Sequence, residues 1–266
     1  MTRFARTFRS TTSVAVIAAA LLVGGCARDT TTTGSISTRN STSLSQMSAT
    51  QLDDLARKYS AKYEKSPQDK ANGLAFASLL RMTGRDDQAL AVMRKLVIYY
   101  PKDNEVLSAY GKALASSGNF REALGVIERA QKPDNPDWRL LSANGAILDQ
   151  LERPEEARAK YRQALDIQPN EPSVLSNLGM SYLLSNDLAS AETYLRKANQ
   201  QRGADSRVRQ NLALVIGLQG RFDEAEKVAS AELPADEAQA NIAYLRQMLS
   251  QQNAWNQIKS EDKKAQ

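Results

Sequence analysis

The stretch REALGVIERA, Arg121 to Ala130, has counterparts at even intervals on both sides. DDQALAVM (86–93) precedes it, and PEEARAKYRQA (154–164), ASAETYLRKA (189–198) and FDEAEKVA (222–229) follow it. Each holds an alanine in a similar setting, and these alanines, Ala89, Ala123, Ala157, Ala191 and Ala225, stand 34 residues apart every time. Twelve residues before each lies a second small residue: Ala77, Gly111, Gly145, Gly179 and Ala213. Small residues in two matched columns let two antiparallel helices approach closely, with larger apolar side chains filling the space around them. A period of this length marks a stack of identical helical units. The fold class is therefore all-α.

The remaining columns follow the same frame. With repeats beginning at Lys70, Asn104, Trp138, Pro172 and Ser206, the fourth position is Leu107, Leu141 and Leu175 in the middle three. The eleventh is Leu80, Leu114, Leu148, Tyr182 and Ile216, and the twenty-fourth is Met93, Ile127, Tyr161 and Leu195. Gly84, Gly118 and Gly220 fall at the turn between the paired helices, where positive φ is cheap without a Cβ. Asn186 stands there in the fourth repeat, and the third reads LERPEEA, with Pro154 suited to a first helical turn. Pro101 and Pro169 close their repeats.

This pattern resembles the tetratricopeptide repeat (TPR) family, which implies a right-handed superhelical solenoid. Five full 34-residue repeats span 70–239. The departures sit at the ends, where capping repeats are atypical: Gly73 and Arg209 replace Leu at the fourth position, and the fifth repeat closes with Ala229 and Glu232. A half-repeat is expected at each end. Over 49–69, Leu52, Leu55, Tyr59 and Tyr63 share one helical face. Over 240–266, Ile242, Leu245 and Leu249 form the face of a capping helix, with a polar tail expected to fray from Ser260. About twelve helices follow from this frame.

The amino terminus carries a different message. Arg3, Arg6 and Arg9 precede the uncharged run VAVIAAALLV (14–23), then Gly24, Gly25 and Cys26. A basic start, a short apolar run and small residues make residues 1–25 a signal peptide, too short for a comfortable membrane span. LVGGC looks like a bacterial lipobox, which makes Cys26 the site of lipid attachment. Several acyl chains, at about 0.8 kcal/mol per buried CH₂, anchor stably where one does not. By analogy with enteric sorting, Ala27 favours the periplasmic face of the outer membrane. From Ala27 to Ser48, 12 of 22 residues are Ser or Thr. So polar a segment cannot offset its ordering entropy, and 26–48 is expected to be a flexible tether spanning on the order of 25 Å.

Composition removes several chemistries. There is no histidine, hence neither the commonest general base nor the commonest metal ligand. The single cysteine can form neither an intramolecular disulfide nor a multi-thiolate zinc site. The chain has 35 basic and 30 acidic residues, but three of the arginines lie in the signal peptide, leaving 32 against 30. That balance gives no reason to expect nucleic acid. With no phosphate loop and no nucleophile–base set, no enzyme activity, cofactor, metal or small-molecule substrate is expected.

TPR arrays bind proteins along a concave face lined by the first helix of each repeat, and the family register puts Ser108, Lys112, Arg139, Ser142, Ser176, Asn177, Met180, Arg207, Gln210, Asn211 and Leu214 on that face. Asn177 and Asn211 occupy positions from which TPR proteins hold a peptide backbone; bonding between neighbouring helices is the other reading. Arg207 matches a basic position of carboxylate-clamp TPRs, whereas Ser142 and Ala146 do not complete a clamp. The block RVRQNLALVIGLQGRFDEAEKVASAELPADEAQANIAYLRQML (207–249) is similar to the TadD family of TPR lipoproteins. That resemblance implies a part in Flp/Tad (tight adherence) pilus assembly, with the pilus secretin or other Tad components as partners. An adaptor of another envelope complex stays open, whether a type IV pilus pilotin, an outer-membrane-protein assembly factor or a peptidoglycan-hydrolase scaffold.

Overall fold

An acidic residue recurs immediately before each first helix of the array, again at intervals of 34. Asp69, Asp103, Asp137, Glu171 and Asp205 each accept a hydrogen bond from a backbone amide in the first turn of the helix that follows. Such caps satisfy amides that no helical carbonyl can reach and contribute about 1 kcal/mol each. Of the second helices only Leu188–Asn199 has such a cap, in which Asp187 accepts from the Ser190 amide. Arg85, Asn119, Arg153 and Arg221 make no side-chain cap. Their entry is fixed instead by the turn, in which the amides of Arg85, Asn119, Arg153, Asp187 and Arg221 reach back to the carbonyls of Leu80, Leu114, Leu148, Tyr182 and Ile216. The residue before each of these amides is left-handed: Gly84, Gly118, Glu152, Asn186 and Gly220, with φ between 59° and 81°. This is a Schellman closure repeated five times. In the third repeat a glutamate takes the glycine position.

The computed structural model describes residues 44, 47–231 and 233–264, with side chains through residue 251. Among the described residues there are twelve helices and no strand. They are α1 (Ala49–Lys65), α2 (Lys70–Met82), α3 (Asp86–Tyr99), α4 (Asn104–Ser116), α5 (Phe120–Ala130), α6 (Trp138–Gln150), α7 (Pro154–Ile167), α8 (Pro172–Leu184), α9 (Leu188–Asn199), α10 (Ser206–Leu218), α11 (Phe222–Ala229) and α12 (Ala235–Lys264). Helices α2 to α11 are five antiparallel pairs in a TPR solenoid. The signal peptide, Cys26 and all of the tether except Leu44, Met47 and Ser48 lie outside the described residues.

The two small columns are where paired helices touch. All five alanines of the second column are fully buried. A Cβ built on Gly111 would come within 2.6 Å of Ile127, on Gly145 within 2.6 Å of Tyr161, and on Gly179 within 2.8 Å of Leu195. Those neighbours are the twenty-fourth residues of the same repeats, so in these three repeats the large residue occupies the space that the glycine leaves; the first repeat pairs Ala77 with the unbranched Met93. Gly73 obeys the same rule one turn earlier, against Leu96 at 3.0 Å.

The ends differ from the strict frame. Helix α11 has only 8 residues, and after Leu233-Pro234 α12 begins at Ala235, inside the fifth 34-residue frame. Ala238, Ile242 and Leu245 bury the face of α12 against α10 and α11. Leu245 fills the space above Gly217, 2.5 Å from where a Cβ would stand. The backbone of α12 stays helical to Lys264, past the Ser260 at which its polar composition predicts fraying. At the other end Leu52, Ala56 and Tyr63 of α1 are buried. One continuous core runs from Tyr63 to Ile147, whereas the second half of the array is divided among smaller cores.

Gly145→Ala and Gly125→Ala separate close approach from helix propensity. Gly125, inside α5, has nothing within 4 Å of its built Cβ. Its change to Ala should add about 0.5–1 kcal/mol, while Gly145→Ala should cost about 1–3 kcal/mol through overpacking against Tyr161. Urea unfolding followed by circular dichroism reads both.

Candidate functional site

Each first helix packs against the first helix of the next repeat, from α2 through α4, α6 and α8 to α10. That chain of contacts sets the first helices side by side along one face, with the second helices behind them. The candidate groove residues of repeats three to five lie on this face, but they do not all reach solvent. Ser142 and Ser176 are buried. Asn177 donates to Ser142 Oγ at 3.1 Å, and Asn211 donates to Ser176 Oγ at 3.1 Å. The two asparagines thus stitch α8 to α6 and α10 to α8, and the serines are acceptors inside that seam rather than groove-lining groups. Curvature decides this: a fifth-position side chain is covered when the next first helix leans over it.

Three cations of the candidate set reach solvent on this face, Arg139, Arg207 and Lys112. Arg139 is exposed, with its guanidinium 4.4 Å from the Trp138 ring and 3.9 Å from Asp137. Arg207 is half-exposed and 3.9 Å from Asp205. The candidate set also includes the half-buried Met180, Asn177 and Asn211, and the exposed Gln210, which donates to Ser206. Ser108, Lys112 and Leu214 are half-buried.

Two features that the family columns conceal stand out in the third repeat. Tyr161 occupies the twenty-fourth position, aliphatic in the first, second and fourth repeats, and its hydroxyl donates to Asp149 at 2.9 Å. Ser181 of the next repeat donates to the same carboxylate at 2.7 Å. Burial pushes the Asp149 carboxyl up, against the downward pull of these two bonds and of Arg158. Burial also raises the Tyr161 phenol well above its ordinary value, with the Asp149 charge adding to it. Arg158, itself buried, lies over the Tyr182 ring at 4.5 Å and donates to Ser185 at 2.6 Å. This polar core joins repeats three and four. The second feature is Asn144, at a seventh position that is Phe76, Tyr110, Leu178 or Leu212 in the other repeats. It is 4% exposed, and its Oδ1 has no hydrogen-bond partner. A polar letter in an otherwise apolar column is the sequence signal for it.

Residues 74–137 and 150–215 both match the tetratricopeptide repeat family. The chain is a tetratricopeptide-repeat protein. The BBSome complex member BBS4 of Bos taurus is 21% identical over 142 residues, which is 53% of this chain and 27% of that protein. The chain therefore spans about a quarter of that relative's length. A tetratricopeptide repeat protein from Parabacteroides merdae shares the fold with a TM-score of 0.63 at 14% identity, covering 73% of this chain and 77% of the other. PilW, described as a widely conserved type IV pilus biogenesis factor, superposes with a TM-score of 0.61 at 17% identity, covering 73% of this chain and 91% of PilW. No helix among the described residues is long and apolar enough to cross a membrane.

The last TPR junction adds a charge network to its apolar contacts. Glu192 of α9 accepts from Arg196 at 2.7 Å and from Gln219 at 2.8 Å, and it also pairs with Arg221. Arg221 is 2.9 Å from Glu224, which pairs in turn with Arg196. The Glu192 side chain is only 15% exposed, and its bond to Arg221, helped by Gln219 and Arg196, holds its pKa at about 2. Since the unfolded carboxyl titrates near 4.3, this stabilisation is complete above about pH 4.5 and is lost as pH falls towards 2. Glu192→Gln should lower stability at pH 7 by about 1–3 kcal/mol, the half-exposed arginines being partly screened. It should also reduce the drop in Tm between pH 5 and pH 2.5, measured by thermal circular dichroism in buffers of matched ionic strength.

Proposed function

We propose that this TPR protein is a lipid-anchored periplasmic scaffold, held at the outer membrane through Cys26, that binds protein partners during Flp/Tad pilus assembly. The observation that carries the reading is the union of two elements in one sequence: a lipobox ending at Cys26 and a one-sided array of first helices that begins some twenty residues beyond the proposed tether. The first element gives a place, and the second gives a surface with Arg139 and Arg207 spaced along it. The similarity of 207–249 to TadD lipoproteins supplies the pathway, with the pilus secretin as the partner whose localisation or assembly it aids. In this reading the protein is a binder and not an enzyme.

A second reading, a pilotin-like adaptor of a type IV pilus, is favoured by the fold likeness to PilW. The two differ in which secretin depends on the protein.

Deleting the gene and following secretin multimers and surface pili tests both. Loss of Tad secretin multimers and Flp pili is expected. Intact secretin and normal piliation would remove the pilus assignment, and loss of a type IV pilus secretin alone would select the second reading. Cys26→Ser should abolish incorporation of labelled palmitate and release the protein from membranes. Arg139→Ala with Arg207→Ala should weaken partner capture about tenfold or more while leaving Tm within a few degrees, because neither guanidinium is buried.

A further inference from the structure

Helix α12 continues the row of first helices as the opening helix of a sixth unit. Its buried Ala238, Ile242 and Leu245 repeat the spacing of the buried Val208, Leu212 and Val215, the third, seventh and tenth residues of α10. Contacts agree with this register. Ser181, a tenth residue, bonds to Asp149, the twelfth of the unit before it, and Leu245 stands over Gly217 in the same relation. The sixth unit therefore starts at Asp236, where a 34-residue step would put it at Ala240.

That register brings an apolar stripe into view. The ninth residues of α8, α10 and α12 are Met180, Leu214 and Tyr244, and the thirteenth are Leu184, Leu218 and Met248. In α2, α4 and α6 the same places hold Ser78, Lys112 and Ala146, then Met82, Ser116 and Gln150. Ninth and thirteenth residues are neighbours one turn apart on a helix surface, here on the face that carries Arg207. Leu184 is 48% exposed and Tyr244 53%, and the other four are half-buried. Packed helices stand about 8–10 Å apart, so the stripe crosses three helices over about 20 Å. A contiguous apolar surface of this kind marks an interaction site.

Backbone chemistry and charge select what covers it. An extended segment needs partners for its own amides and carbonyls. The stripe is apolar, and the asparagines beside it, Asn177 and Asn211, already donate to Ser142 and Ser176. A helix satisfies its backbone internally and brings only side chains. One face of a helix recurs every seven residues, about 10.5 Å, close to the step from α8 to α10 to α12. Charge adds a second match. Arg207 of α10 and Glu237 of α12 hold the second positions, about two turns from the ninth residues. A helix lying across them is complementary when it carries an acid over α10 and a base over α12, one heptad apart. We propose that the stripe receives an amphipathic helix of a partner protein, with one large apolar residue for each of α8, α10 and α12 and an acid and a base flanking them over Arg207 and Glu237. The site rests on the scaffold reading only in that partners bind the first-helix face; it does not depend on the pilus.

Fluorescence anisotropy of the full chain with a labelled synthetic helix of about 18 residues tests it. The peptide carries leucines at heptad spacing and, on one flank, a glutamate and a lysine seven residues apart. It should bind about tenfold more tightly than an isomer with scattered leucines or a version broken by a central proline. Leu184→Ser with Tyr244→Ser, both exposed, should weaken it about tenfold, whereas Ala146→Ser, on the same face outside the stripe, should not. Exchanging the peptide's glutamate and lysine should weaken binding to the unaltered chain and restore it to Arg207→Glu with Glu237→Arg. No binding, equal binding of the scattered or proline-broken peptide, or no effect of Leu184→Ser with Tyr244→Ser would overturn the proposal. A dimer of the full chain in sedimentation velocity, abolished by the same two substitutions, would make a second copy the occupant and overturn the partner assignment. The peptide comparisons use the unaltered protein, so they stand whatever the variants do to folding. Their failure leaves the secretin experiment untouched, and the reverse also holds.

Discussion

Everything in this structure follows from how closely two helices of a pair can approach at their eighth and twentieth positions. With glycine or alanine on both sides, the backbones come near enough for one large residue, the twenty-fourth, to lie across the contact. The twenty-fourth residue then decides what the pair is like. Where it is Ile127 or Leu195, the contact is simple apolar packing. Where it is Tyr161, the hydroxyl must find a partner, and Asp149 supplies it. Asp149 in turn is within reach of Ser181 in the next repeat, so a substitution inside one pair becomes a bond between two.

The junctions between repeats accordingly share a geometry but not a chemistry. Beside their apolar contacts, repeats three and four share the buried Asp149 carboxylate, and repeats four and five share an ion-pair network around the largely covered Glu192. The seam of first helices adds the Asn177–Ser142 and Asn211–Ser176 bonds. Since each unit in such an array touches only its neighbours, local chemistry sets local stability, and a substitution at one junction is felt mainly there.

The fold was legible because its decisive constraint is one of size, and size is visible in single letters. Ala89 to Ala225 and Ala77 to Ala213 state the period, the pairing and the number of units without any structure. The acidic column from Asp69 to Asp205 is just as regular, yet an aspartate before a helix acquires meaning only from the amides it accepts. Glu152 was illegible as a left-handed residue, since its φ is imposed by the turn rather than preferred by the side chain. Ser142 and Ser176 show the limit on the groove: register says which face a residue points to, but the lean of the next helix decides whether solvent reaches it. The 34-residue frame also does not show that α11 ends at Ala229 and that α12 starts within the fifth unit, after Pro234. Asn144 needed both views. Its column marks it as odd, and only the structure shows that its Oδ1 is buried without a partner.

The core is divided along the array at both ends. From Tyr63 to Ile147 the apolar contacts are continuous, while a separate cluster of Leu52, Ala56 and Leu79 closes the α1 end and smaller clusters carry the repeats beyond Ile147. Because contact passes only between neighbours, the loss of a terminal helix uncovers the face of the next one and no more, so either end of the array can fray without opening its middle.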